Sequence, residues 1–198
     1  PVPDNVSVRD AACAPIAFST VQHMLFDNAK LQPGETVLVH AAGSGIGSVA
    51  ILMAKAIGCT VITTVGDDSK IEGVKKLGAD YVINYRTDRF EHETRKITKK
   101  KGVDVVFEHV GADTFNGSLL SLKRGGRLVT CGSTSGPTTT TTTSPGGSNM
   151  PNSRMFSPWN AEVIETRAWL RSITRSGVRG AVGTDGGKPP GSGNESTR

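Results

Sequence analysis

The chain has 198 residues, of which 36% are hydrophobic, 5% aromatic and 21% charged, with a formal net charge of +5. No run approaches the roughly 18 apolar residues a membrane helix needs, no basic and apolar leader opens the chain, and no basic stripe with interleaved aromatics points to nucleic acid. Cys13, Cys59 and Cys131 are odd in number and widely spaced, which argues against a disulfide framework or a CxxC zinc site and fits a reduced, cytoplasmic setting.

Residues 7–30 read as helix, with Ser7 as cap and Ala11, Ala14, Phe18, Val21 and Leu25 at 3–4-residue spacing. Pro15 is expected to kink or divide it. After the turn Gln32-Pro33-Gly34-Glu35, the β-branched run Thr36–His40 predicts a buried parallel strand. A Gly-rich turn over 43–47 leads to a helix from about 46 to 57, closed by Gly58. The rhythm then repeats, with strands expected at 60–65, 81–84, 104–108 and 127–131. The helices between them are expected near 67–77, 88–100 and 112–123. Strands alternating with short helices specify an α/β fold, a doubly wound parallel sheet of Rossmann type. Right-handed crossovers give the expected order 3-2-1-4-5, with a crevice between strands 1 and 4.

After Pro137 the rhythm breaks. Only 14 of the 61 residues from 138 to 198 are hydrophobic, while Gly, Pro, Ser and Thr supply 32. Residues 1–137 therefore form the core-building unit, with 1–34 as its lead-in, and 138–198 a low-complexity tail, mostly disordered. Within that tail, 160–174 is a candidate short helix.

The stretch from Val37 to Gly47 is strand, tight turn and helix start. Small residues at Ala42, Gly43, Ser44 and Gly45 let a pyrophosphate approach the backbone. The first-turn N–H groups near Ile46 and Gly47 lack helical partners and attract an anion. The formal GxGxxG pattern is not met, because its third position falls on Ser48.

Leu31-Gln32-Pro33-Gly34-Glu35-Thr36 running into that turn resembles the medium-chain dehydrogenase/reductase superfamily, in its quinone oxidoreductase (zeta-crystallin-like) and enoyl reductase branch. Lys76–Tyr85, Gly102–Glu108 and Gly125–Val129 match the family in order and spacing. The resemblance covers about 1–137 and implies the cofactor-binding domain of a nicotinamide oxidoreductase. It implies NADPH rather than NADH, because Gly66 stands where an acidic residue would meet the ribose, and Lys70 and Tyr85 match the residues beside the 2′-phosphate. Thr20 matches a position at the nicotinamide side. Val110 and Gly111 after strand 4, and Cys131, Gly132 and Ser133 after strand 5, lie at the carboxyl ends of strands where ligands bind, and are expected to line the ribose and the nicotinamide.

Ile16 stands where zinc relatives place a cysteine ligand, so the resemblance implies the zinc-independent branch and no metal. No catalytic side chain is assigned; His40 and His109 end strands and read as structural. The implied reaction is hydride transfer to a small-molecule quinone or α,β-unsaturated carbonyl. The alternative is an inactive cofactor-binding remnant or an interaction protein, since the family's GroES-like substrate domain is not in this stretch. The family's sixth strand, which often pairs dimers, is expected to be missing. The tail is expected to be a frame-shifted or misspliced extension, or a divergent low-complexity one, and a homodimer would need another surface.

Overall fold

In the computed structural model, which describes residues 2–136 and the backbone of 162–165, five strands run parallel. They are β1 (Thr36–Val39), β2 (Thr60–Val65), β3 (Tyr81–Asn84), β4 (Val103–Glu108) and β5 (Leu122–Thr130). Their order is β3-β2-β1-β4-β5, as the alternation of elements predicts. The chain winds outward from β1 to β3, then returns to the other side of β1 for β4 and β5. The carboxyl ends of β1 and β4 therefore flank the switch point, where loops diverge and leave a crevice.

The period of two along each strand sorts the core into two layers. Val37 and Val39, Val61 and Val65, and Val105 and Phe107 face one layer, with α1 (Val8–Val21), α2 (Gly45–Ala56) and Val74 of α3 (Ile71–Lys76). Leu38, Ile62, Val106 and Leu128 face the other, with Phe90 and Ile97 of α4 (Phe90–Ile97) and Phe115 and Leu119 of α5 (Phe115–Ser121). Burial on both faces explains why β1 and β2 read as continuous apolar runs.

Four local expectations are corrected. Pro15 does not divide the first helix, because it lies on an exposed face of α1, where water can replace the missing donor. The change comes later, at Gln22–Asn28, which is a π-helix. There Ala29 N–H reaches back to Met24 O (2.9 Å) and the Asn28 side-chain amide donates to His23 O (2.7 Å). The wide turn carries Met24, Leu25 and Ala29 into the core. The helix expected through 123 ends at Ser121, since Leu122 is drawn into the second core layer and pairs with Val103. β5 accordingly starts earlier than expected and passes through Gly125-Gly126 with a register shift against β4.

The third and fourth corrections fall in the tail. A sixth strand is present: β6 (Glu162–Glu165) pairs antiparallel with β5, Leu128 opposite Ile164 and Val129 opposite Val163. Those four residues are strand, not part of a helix over 160–174. An open edge on β5 offers unpaired backbone groups, and the β-branched pair Val163-Ile164 suits a strand that closes it. The rest of the 138–198 tail lies outside the described residues.

Candidate nucleotide site

β1 ends at Val39, and the chain turns through Ala41, whose positive φ of 48° is unusual for a residue with a side chain. Ser44 then caps α2, its hydroxyl accepting the Gly47 N–H at 2.9 Å. A Cβ on Gly47 would run into the Ala41 carbonyl, so only glycine lets the helix start this close to the strand. At Gly45 the opposite holds: a Cβ would meet nothing of the protein within 4 Å. Helical geometry leaves the Gly45 and Ile46 amides without intrahelical acceptors, and Gly45 is exposed. Ala42 is different, because it is fully buried and its amide donates to Thr64 O at 3.0 Å.

Beside this turn lies a cleft of about 390 Å³, lined by Gly43, Ser44, Gly66, Asp67, Lys70, Tyr85 and Arg86 among others. The Lys70 side chain lies over Gly43, with its Cδ 3.5 Å from where a Cβ would stand. The Tyr85 ring closes on Gly66 so tightly that a Cβ there would lie 2.5 Å from the hydroxyl. Asp67 and Asp68, which could oppose a bound anion, are both engaged. Asp67 accepts the Ser69 N–H at 2.8 Å, and hydrogen bonding to Ser69 holds its carboxyl below the usual range. Asp68 accepts from the Asn84 amide at 2.7 Å. These partners are neutral donors, so the charge of Asp67 remains in the lining, where Lys70 and Arg86 outnumber it and leave the cleft net positive. Arg86 went unnoticed in the sequence, although its place next to Tyr85, just beyond β3, puts it on the same sheet edge.

The second expected group gathers at the ends of β4 and β5. Gly111 has φ +101°, and a Cβ there would lie 2.6 Å from both Gly136 O and the Ser133 hydroxyl. The Ser135 N–H donates to Val110 O at 2.7 Å, and Ser133 donates to Gly136 O. The Cys131 N–H donates to Glu108 O at 3.2 Å; burial pushes its thiol up to about 11, so it is no thiolate nucleophile at neutral pH. Gly132 packs on the His109 carbonyl. Thr20, half-buried on α1, is not among the residues that line the cleft.

Beneath both loops lies a network invisible in the sequence. His40 is 1% exposed and Glu108 0%. Glu108 accepts from the amides of Val110 (2.8 Å) and Gly111 (3.2 Å) and from the hydroxyls of Thr114 (2.9 Å) and Ser118 (2.6 Å). These donors and nearby His40 outweigh desolvation and keep its carboxyl below the usual range, hence ionised. Burial drives the His40 pKa down to about 4, so its imidazole is neutral at pH 7.

The chain of protons then has one solution. Ser118 spends its only hydrogen on Glu108, so it accepts from His40 Nε2–H at 2.8 Å. His40 Nδ1 accepts from the Thr64 hydroxyl at 3.1 Å, whose oxygen accepts the Ala41 N–H at 3.2 Å. His109 Nε2–H donates to His40 O at 2.9 Å.

A doubly wound parallel sheet with a glycine turn after its central strand and, beside that turn, a cleft carrying Lys70 and Arg86 has the form of a dinucleotide-binding domain. The family model described as zinc-binding dehydrogenase matches residues 45–172, and the chain belongs to that family, within the medium-chain dehydrogenase/reductase superfamily. It is 39% identical over 137 residues to the 2-haloacrylate reductase of a Burkholderia species, covering 68% of this chain and 41% of that protein. It superposes on the quinone oxidoreductase of Pseudomonas syringae pv. tomato with a TM-score of 0.66 at 36% identity, covering 70% of this chain and 43% of that one. The mycobacterial protein Rv1454c, solved in complex with NADPH, gives a TM-score of 0.65 at 39% identity, with 69% and 42% covered. The chain thus spans less than half the length of these relatives.

Proposed function

We propose that this chain is the NADPH-binding domain of a zinc-independent oxidoreductase that reduces a quinone or an α,β-unsaturated carbonyl. The observation that carries the reading is the cleft with Lys70, Tyr85 and Arg86 beside the Gly43–Ser44 turn, which leads into the first-turn amides of α2. The amides suit a pyrophosphate, and the two cations with the tyrosine hydroxyl suit a 2′-phosphate. Glycine at 66 leaves no carboxylate at that position to repel the phosphate, and Lys70 and Arg86 outnumber the Asp67 carboxylate in the lining.

Bound NADPH would supply the hydride. The chain's own part is to bind and orient it: Gly43–Gly47 hold the pyrophosphate, and Val110, Gly111, Cys131, Gly132 and Ser133 line the ribose and nicotinamide side. Thr20 would approach the nicotinamide from α1. Zinc independence rests on Ile16, a residue with no donor atom, where a ligand would stand in zinc relatives. Rv1454c, with NADPH bound, supports the cofactor assignment, and the quinone oxidoreductase likeness supports the acceptor.

A second reading is a domain that binds cofactor without turnover. Titration with NADPH and NADH, followed by turnover with a simple quinone and a simple enone, separates the two. Binding with turnover supports the reductase, binding without turnover supports the second reading, and no binding at millimolar nucleotide overturns both.

A further inference from the structure

The site lies on two loops that approach each other only because the sheet brings them together. One is the turn 41–47 after β1, and the other is 109–114 after β4. Each loop is tied to the same buried chain of hydrogen bonds. Ala41 N–H is held by Thr64, which donates to His40 Nδ1; His40 Nε2–H is held by Ser118, which donates to Glu108; Glu108 holds the Val110 and Gly111 amides and the Thr114 hydroxyl. His40 is the centre of that chain, and its own carbonyl takes the His109 Nε2–H from the far loop. The ring also stands edge-on to Phe90, with centroids 4.9 Å apart, so packing fixes its plane.

A well-packed apolar side chain would fill this space at less risk than three polar ones. A fully satisfied chain has a different property, since each donor aims at one acceptor and it has one geometry. We propose that His40, as the neutral Nε2–H tautomer, is a positioning residue that holds the 41–47 turn and the 109–114 loop in the register the nucleotide requires. Ser118 and Glu108 transmit that register. This rests on the cofactor reading above and adds to it the residues that pre-organise the site without touching the ligand. Pre-organised loops bind better because less ordering remains to be done on binding.

Ser118→Ala removes the link between His40 and Glu108 with little change of volume. Ser121→Ala is the control: one turn along the same helix, it removes a buried hydroxyl that donates to Gly117 O and, among the described residues, has no link to His40 or Glu108. The full chain is titrated with NADPH in both variants and in wild type, and amide and imidazole nitrogen spectra are recorded without nucleotide. The expected result is Nε2–H tautomer for His40 in wild type. In Ser118→Ala alone, the amides of Ala41, Gly43, Val110 and Gly111 shift together and NADPH affinity falls about fivefold or more. Equal affinity losses in the two variants, an Nδ1–H or charged His40 at pH 7, or unmoved loop amides overturn the proposal. Wild type that binds no nucleotide overturns the cofactor reading and this role with it. Wild type that binds, with Ser118→Ala binding equally well, overturns the positioning role alone.

Discussion

His40 Nε2 lies 2.8 Å from the Ser118 hydroxyl, across 78 residues of chain, and that single hydrogen bond joins the end of β1 to α5. Because Ser118 in turn donates to Glu108, the bond also decides which nitrogen of His40 carries the proton. A buried neutral histidine beside a buried carboxylate has thermodynamic consequences at acid pH.

Acidification below pH 6.5 is expected to destabilise the domain. The His40 pKa is about 4 when folded against an ordinary 6.5, so between these values the unfolded chain binds a proton that the folded one does not. Stability therefore rises with pH through this window and is lost as pH falls, on the order of 3 kcal/mol in full. Glu108, held below its usual range, adds loss in the same direction at the acid end. Thermal melts from pH 7.5 to 4.5 on wild type and His40→Gln check this: the variant should have a lower melting temperature at pH 7.5 and a flatter pH dependence.

Lys70→Ala is expected to weaken NADPH binding about tenfold, as the loss of a charge-assisted contact implies, and NADH by less than twofold. Arg86→Ala should act in the same direction. Fluorescence titration with both nucleotides measures the ratio, and equal losses would remove the 2′-phosphate role.

Gly66→Ala separates binding from folding. The new Cβ would collide with the tyrosine hydroxyl, but Tyr85 is 47% exposed and can swing outward. Stability should change by less than about 1 kcal/mol, while NADPH affinity falls. Gly47→Ala should do the reverse to the fold, because its obstacle is the Ala41 carbonyl, and cost about 2–3 kcal/mol in urea unfolding.

Lys100→Gly is expected to stabilise. Lys99 and Lys100, in the turn after α4, have φ of 52° and 68°, a region that residues with a Cβ enter at a cost. Glycine relieves this at Lys100 but adds freedom to the unfolded chain, leaving a net gain of about 0.5–1 kcal/mol. Chemical denaturation reads it directly.

The sequence by itself determined the parallel doubly wound sheet and the glycine turn, because strand and helix periods are local; the resemblance to the Rossmann fold family supplied the expected strand order. Gly43, Ser44, Gly66, Lys70 and Tyr85 line one cleft, since the loops that leave β1, β2 and β3 share the sheet's carboxyl edge. Only the tertiary structure decided the rest. The partners of His40 lie 24 and 78 residues away, and no local pattern marks a serine on a helix face as theirs. Arg86 joined the cleft because β3 pairs with β2, a contact between segments rather than within one. The pairing of β6 with β5 followed from an unsatisfied sheet edge, which exists only once the sheet is built. Local periodicity sets what each segment can become; which side chains then share a buried volume, and with what proton, is settled when the layers close.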